Sequence, residues 1–458
     1  MRPCADFQPA SDAYPVLSSL ERARFALDGE AAVLRELQAT VTRFSLFWLA
    51  AANLVGVLLA LLLVCPRFGE WLGELTYGRW VPLHLNWQLY GWCSLPAAGA
   101  LLKCYLLRTR SGLKQARAVI WAWSIALTLG GLSWLEGQTS GKLFLDWIGL
   151  ARLLFVLALV FLWLVLVWNF FDGTRHAVAV RRPRTPDIAL LAALAVVPWS
   201  LYWSSGRQIY PAIDPGTGGP TGASLLASTL GIVLIAGLLP WILGLPGRPG
   251  IFWKPFWICF AGESVICAAI SHGNSSHFDW RQAGALSSLS IWIPMLALYW
   301  TRFAWNHESL PWLKATIIWW TLLMITGIVA FLPGVLDRFK FTHVLVAHSH
   351  LAMAGFLTNM NVLILSNLST PAGRAVKFLA RPLPFCTWQL ALALHLACLA
   401  TIGWKESADP ECWFTGGLTA LLWARLAAGT AMAAVSLYWV LCAHGVGSST
   451  EAGNPIKL

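Results

Sequence analysis

Residues 341–356 read "FTHVLVAHSHLAMAGF" and set three histidines, His343, His348 and His350, in an otherwise almost wholly apolar run. An imidazole is costly in apolar surroundings, and a natural use for it there is to ligate a metal. A helix turns about 100° per residue, so His348 and His350 leave a common helix about 200° apart. They cannot grip one small ion together. Each can bind its own flat cofactor, one on either flank, which suits two haems astride a single helix. A haem with two axial ligands needs a second imidazole, and "VPLHLNWQLYGW" offers His84. From the expected ends of the two apolar runs, His84 lies about 5 Å deep and His350 about 12 Å, a mismatch that helix tilt has to absorb.

The remaining histidines ask for less. His343 reads as a rim residue, His395 as a packing histidine, and His176, His307 and His444 fall at loops or helix ends. His272 and His277 lie five apart in "ISHGNSSHFDW", where they could line the outer surface or bond the acidic groups of a haem. Glu263, in "FAGESVIC", is the one acid expected at mid-membrane. It is a candidate proton carrier, or a carboxyl held neutral by a partner. No CxxCH is present, which excludes covalent c-type haem attachment. Most of the ten cysteines lie inside apolar runs, where Cys behaves as a small hydrophobe.

The elements that must position these groups are membrane helices. The chain of 458 residues is 57% hydrophobic and 12% charged, against about 25% charged in a soluble domain. The 28 tryptophans suit interfacial belts and flat cofactor pockets. Runs of about 20 apolar residues give twelve spans, near 44–65, 81–103, 117–136, 148–171, 187–204, 223–245, 254–272, 284–303, 313–333, 342–367, 385–403 and 420–443. The expected fold is therefore an all-α integral membrane bundle of about twelve helices, residues 44–445. It is flanked by cytosolic segments 1–43 and 446–458, and residues 17–42 read as an amphipathic helix. No cleavable signal sequence is visible, because the first apolar run starts near Phe44.

Cations cluster in alternate loops: Lys103, Arg108, Arg110, Lys114 and Arg117; Arg175, Arg181, Arg182 and Arg184; Arg374, Lys377 and Arg381. This pattern puts both termini in the cytoplasm and starts spans 2 and 10 at the outer face. It also accounts for the net charge of +11 without a nucleic-acid partner. The segment "IYPAIDPGTGGPTG", 209–222, is an outer turn-rich loop.

Twelve spans, a histidine in span 2 and HxH in span 10 resemble subunit I of the haem–copper oxidase superfamily. "AHSHLAMAGF" looks closest to its nitric oxide reductase and related oxidase branches. The resemblance implies two haems, b-type. His84 and His350 would be the axial ligands of a low-spin haem, and His348 the proximal ligand of a high-spin one. It further implies additional redox subunits, or a cytochrome c or quinol donor at the outer face, and a bacterial inner membrane. Copper, or iron in the nitric oxide reductases, faces the high-spin haem in that family, on one histidine of span 6 and an adjacent pair near spans 7 and 8. Here span 6 reads "GASLLASTLGIVLIAGLLPWIL" and has no histidine, cysteine, acid or tyrosine. The pair falls on Ser276 and His277, so only His277 and His272 remain as residual metal positions. The Tyr of the oxygen-reducing members and the span-6 Glu of the nitric oxide reductases are likewise missing.

The expectation is a membrane haem protein that passes electrons, with the three-histidine copper site lost. An active oxidase or nitric oxide reductase with an atypical metal on His272, His277 and Cys267 is the second reading. A twelve-span secondary transporter without haem is the third, against which stands the lack of Gly/Pro-broken helices in matching halves. Proton pumping is not expected, since beyond Glu263 the interior offers only scattered hydroxyls such as Thr321 and Thr326. Arg338, Lys340 and Lys405 read as haem-carboxylate partners or as interfacial anchors.

Overall fold

The computed structural model describes residues 19–175, 185–247, 250–369 and 374–451. Arg181, Arg182, Arg184 and His176, and the outer parts of both terminal segments, lie outside the described residues. The described chain is helical, with two isolated bridges and no strand. Ten helices are long and apolar enough to cross a membrane. In chain order the helices used below are α1 (Ser19–Val64), α2 (Tyr77–Asn86), α3 (Leu95–Tyr105), α4 (Arg110–Leu135), α5 (Gly149–Arg175), α6 (Thr185–Ser204), α7 (Gly222–Ile242), α8 (Gly250–Ala269), α9 (Trp280–Ser288), α10 (Trp292–Trp300), α11 (Leu310–Phe331), α12 (Val335–Phe339), α13 (His343–His350), α14 (Thr358–Ser366), α15 (Pro382–Ala408) and α16 (Thr419–Glu451).

The first helix departs from expectation. The amphipathic helix and the first span form one continuous α1 with no break near 43. No proline or glycine interrupts it between Gly29 and Gly56, and its N-terminal half finds partners. The Gln38 amide donates to the Leu365 carbonyl at 2.7 Å and accepts from Ser369 at 2.6 Å. Arg108 and Arg117 pair with Glu30 and Glu36. Lys103 donates to the carbonyls of Leu243 and Asn367, both at 2.7 Å, capping the ends of α7 and α14 where the helix dipole favours a cation.

Two helical runs, 77–105 and 343–366, are each interrupted by a π-helical stretch, Trp87–Cys93 and Leu351–Leu357. The wider turn frees local carbonyls, and polar groups take them up. The Thr358 hydroxyl donates to the Met353 carbonyl five residues back at 2.9 Å and accepts from the Trp92 indole at 2.9 Å. The Asn361 amide donates to the Trp92 carbonyl at 3.1 Å. The two interrupted runs are thereby stitched to one another. Such π-turns concentrate at functional sites, and these two follow directly on His84 and His350.

Tryptophan also serves differently from the belts expected of it. Several indoles are fully buried and tie helices together, as Trp300 to the Ala236 carbonyl at 2.9 Å, Trp312 to Leu379 at 2.9 Å and Trp320 to Trp292 at 2.8 Å. Without water an indole N–H needs an internal acceptor, and for these three a backbone carbonyl supplies it.

A close helix contact brings α15 against α13: a β-carbon on Gly403 would lie 2.3 Å from the Val344 nitrogen. Gly403→Val should therefore force the two helices apart at a cost of about 1–3 kcal/mol, read as a lower Tm in detergent. Gly429→Ala, which meets nothing within 4 Å, should leave the Tm unchanged or slightly raised.

Candidate functional site

His84 lies seven residues inside Tyr77 and His350 seven inside His343. Both imidazoles therefore stand roughly 10 Å along their helices. The depth mismatch expected from the sequence came from starting span 2 at Val81; the helix begins at Tyr77 because "YGRW" still turns helically beyond the apolar run.

The three interior histidines share one arrangement. His84 Nδ1 is 2.7 Å from the Ala52 carbonyl of α1, and His350 Nδ1 is 2.8 Å from the Val346 carbonyl one turn back. A carbonyl only accepts, so Nδ1 carries the proton in both rings. His348 Nδ1 is 3.0 Å from Thr326 Oγ1, and that hydroxyl points its own proton at the Leu322 carbonyl at 2.8 Å. Thr326 therefore accepts from His348. In each ring Nε2 keeps a free lone pair, the state in which histidine ligates a metal with its other nitrogen held by a protein oxygen.

The surroundings leave room for a ligand. His84 and His350 sit deep among the helices yet are only partly buried, so they border open space. Small residues let the rings lie where they do: a β-carbon on Gly56 would come within 2.8 Å of the His84 ring, and one on Gly327 within 3.1 Å of His348. The donor set and its free nitrogens fit axial ligation of haem.

His348 and His350 leave α13 on opposite sides. His350 faces α2, α15 and α16, within electrostatic reach of His84 and with its ring centroid 4.9 Å from that of His395. His395, read from sequence as a packing residue, thus stands against a candidate ligand. Arg425 of α16, missed altogether, is buried and comes within electrostatic reach of His84, His350 and His395. The signal was a lone cation in "TALLWARLAAGTAM".

His348 faces α11 and lines a cavity of about 310 Å³. Its wall is mostly apolar, with Ile232, Leu289, Met324 and Phe331, and Lys340 stands among the lining residues. From α7, the segment without a ligating residue, come Leu225, Ser228, Thr229 and Ile232. Glu263 does not line this cavity; its carboxylate accepts from Ser288 at 2.8 Å.

Comparison with known proteins adds no identity. No protein-family model matches the chain. No curated protein matches it.

The residual metal positions are engaged elsewhere. His272 is exposed, with Nε2 2.7 Å from the Cys267 carbonyl. His277 is fully buried between two carboxylates: Nδ1 lies 2.6 Å from Asp214, and Nε2 lies 3.0 Å from Asp337 at an angle short of a good hydrogen bond. Among the described residues no group of three His, Cys, Asp or Glu side chains could hold a metal ion. The residues present do not fit a second metal beside the cavity.

His277 instead clamps the loop 209–221 to α12, and both elements contribute lining residues to the cavity. Burial pushes its imidazolium down, but Asp337 and Asp214 outweigh this and hold it above the ordinary histidine value. Asp214, held down by Thr217, Gly216 and His277 against the effect of burial, and Asp337, held down by His277 and the Gly334 N–H, sit below the ordinary carboxylate value.

A raised histidine stabilises fully below its unfolded value, about 6.5, and loses that contribution as pH rises through the folded value. A depressed carboxylate stabilises above about 3.9 and loses its contribution as pH falls through the folded value. The protection of amides in 209–221 relative to their intrinsic exchange should therefore be greatest between about pH 4 and 6.5 and fall above the folded His277 value. In His277→Gln that fall should vanish; an identical profile in both proteins would refute the clamp.

Proposed function

We propose that the chain is a twelve-span membrane haem protein resembling subunit I of the haem–copper oxidases. In this reading the runs 77–105 and 343–366 cross the bilayer as spans 2 and 10, completing the twelve. His84 and His350 hold one haem between them, and His348 holds a second on the other side of α13. The observation that carries the reading is the shared state of three interior imidazoles: Nδ1–H tied to a protein oxygen, Nε2 free, two of them, His84 and His350, within electrostatic reach of each other.

A haem bound by two imidazoles passes single electrons with no open coordination position, whereas one bound by a single imidazole leaves a face for a small diatomic. The rest is done by the chain. The carbonyls of Ala52 and Val346 fix the planes of the paired rings and raise their basicity. Thr326 does the same for His348. Leu225, Ile232, Leu289 and Phe331 keep water away from the space before His348. Ser228 and Thr229 already donate to the Leu225 carbonyl. No carboxyl lines the cavity to hand over protons. This supports binding of a diatomic, or electron relay, over its reduction.

Both termini lie in the cytoplasm of a bacterial inner membrane in this reading. Electrons reach the His84–His350 side from a separate cytochrome c or quinol-linked subunit at the outer face.

Purified protein should carry two b-type haems and give a dithionite-reduced minus oxidised spectrum of a haem protein, with low-spin and high-spin EPR signals. Elemental analysis should find haem iron without copper. His84→Leu or His350→Leu should abolish the low-spin signal, while His348→Leu should abolish only the high-spin one. Protein lacking a Soret band would overturn the reading in favour of a haem-free transporter.

A further inference from the structure

Two short pieces of chain outside the long helices help to wall the cavity before His348. Thr217, Gly219 and Pro220 come from the loop 209–221, and Leu336 and Lys340 from α12 and the residue after it. The first piece is a compact unit built on Asp214. Its carboxylate accepts from the Gly216 N–H at 2.8 Å and the Thr217 hydroxyl at 2.9 Å, and its backbone N–H donates to the Gly219 carbonyl at 2.8 Å. The second begins at Gly334, whose N–H donates to Asp337 at 2.8 Å. Lys340 lies across the join, where a β-carbon on Gly219 would come 3.2 Å from its Cε.

His277 joins the two pieces, and does so unequally. Asp214, fully buried like His277 itself, lies 2.6 Å from Nδ1 and also accepts from the His277 backbone N–H at 3.4 Å. Asp337 has 41% of its side chain exposed and stands 3.0 Å from Nε2 at the poorer angle. Phe278 and, from α11, Phe331 pack on the ring and bring no charge. Lys340 is within electrostatic reach of Asp214. A doubly protonated ring donates to both acids. A ring that has lost one proton keeps the other on Nδ1, where the contact is closer, and turns a bare lone pair toward Asp337. The hold on α12 is then lost while the hold on the loop remains.

We propose that the loop 209–221 and α12 form a lid on the cavity, latched by His277, and that loss of one His277 proton frees the α12 side and admits small uncharged molecules to the space before His348. The two acids keep the ring protonated beyond the ordinary histidine range. The latch is therefore shut at about pH 6 and opens as pH rises through the folded His277 value. Toward acid it stays shut until Asp214 and Asp337, held below the ordinary carboxylate value, take up protons. The lid is made of this chain's own groups and stands whether or not a haem is held on His348.

Leu289 lines the cavity with 1% of its surface exposed, and Leu289→Cys places a thiol there. The full chain carrying Leu289→Cys, in lipid nanodiscs, is reacted with methyl methanethiosulfonate, a small neutral reagent. Peptide mass spectrometry separates the new site from the ten native cysteines. The rate is compared at each pH with that of Leu289→Cys combined with Asp337→Ala, so that the titration of the thiol cancels. At about pH 6 the combined variant should react roughly tenfold faster, because access follows local opening. The ratio should fall toward one as pH rises through the folded His277 value. A ratio near one throughout would overturn the lid and show that guests enter another way, as through the bilayer. A high ratio that does not change with pH would overturn the latch and leave Asp337 a structural bond. His277→Ala in place of Asp337→Ala should give the same ratio and the same fall; should either variant fail to accumulate, the other decides.

Discussion

The constraint on which the rest depends is that a polar group in the membrane interior must be satisfied by the protein itself. A neutral imidazole has one donor and one acceptor, and satisfying only the donor leaves a directed lone pair. His84, His350 and His348 are all in that state, each tied by Nδ1 to a carbonyl or to a hydroxyl with its own proton already spent. The tether fixes tautomer and ring plane before any ligand arrives. It also explains why the helices around these residues are shaped as they are. Gly56 and Gly327 leave space for rings that a side chain would strike, and π-turns follow His84 and His350 where ordinary helix would carry the chain on undisturbed.

Much of this was legible in the sequence, because the bilayer imposes a length on apolar runs. Ten helices long and apolar enough to cross a membrane appear near expected places among the described residues, the runs at 81–103 and 342–367 are helices broken by a π-turn, and HxH on a helix sends two rings to opposite flanks by geometry alone. What was not legible depended on side chains meeting across the bundle. The start of α2 at Tyr77 follows from helix geometry in "YGRW", which hydropathy does not register. The merging of the N-terminal helix with the first span depends on Gln38 finding Leu365 and Ser369, more than three hundred residues away. Asp214 and Asp337, far apart in sequence, meet only at His277, and no local pattern announces the clamp. His395 looked like packing because a single histidine in an apolar run carries no indication of its neighbours.

The histidines read from the sequence as residual metal positions are engaged by other groups. A histidine that ligates must keep one nitrogen free. At His277 both nitrogens face carboxylates, so this residue ties the loop 209–221 to α12. With α7 offering only hydroxyls and alkyl groups to the cavity, the space before His348 has one imidazole and no second histidine, cysteine or acid in its lining.

The two flanks of α13 therefore differ in kind. On the His350 side, the imidazoles of His84 and His395 and the buried guanidinium of Arg425 come within electrostatic reach of one another. On the His348 side a single imidazole looks across an apolar cavity with no partner of opposite charge on its far wall. Rigid double ligation suits electron transfer, because little need move when an electron comes or goes. An open apolar face suits a small uncharged guest, because nothing there competes for the vacant position and nothing supplies the protons that would consume the guest. One helix, with two imidazoles set two residues apart, is enough to keep these opposite demands separate.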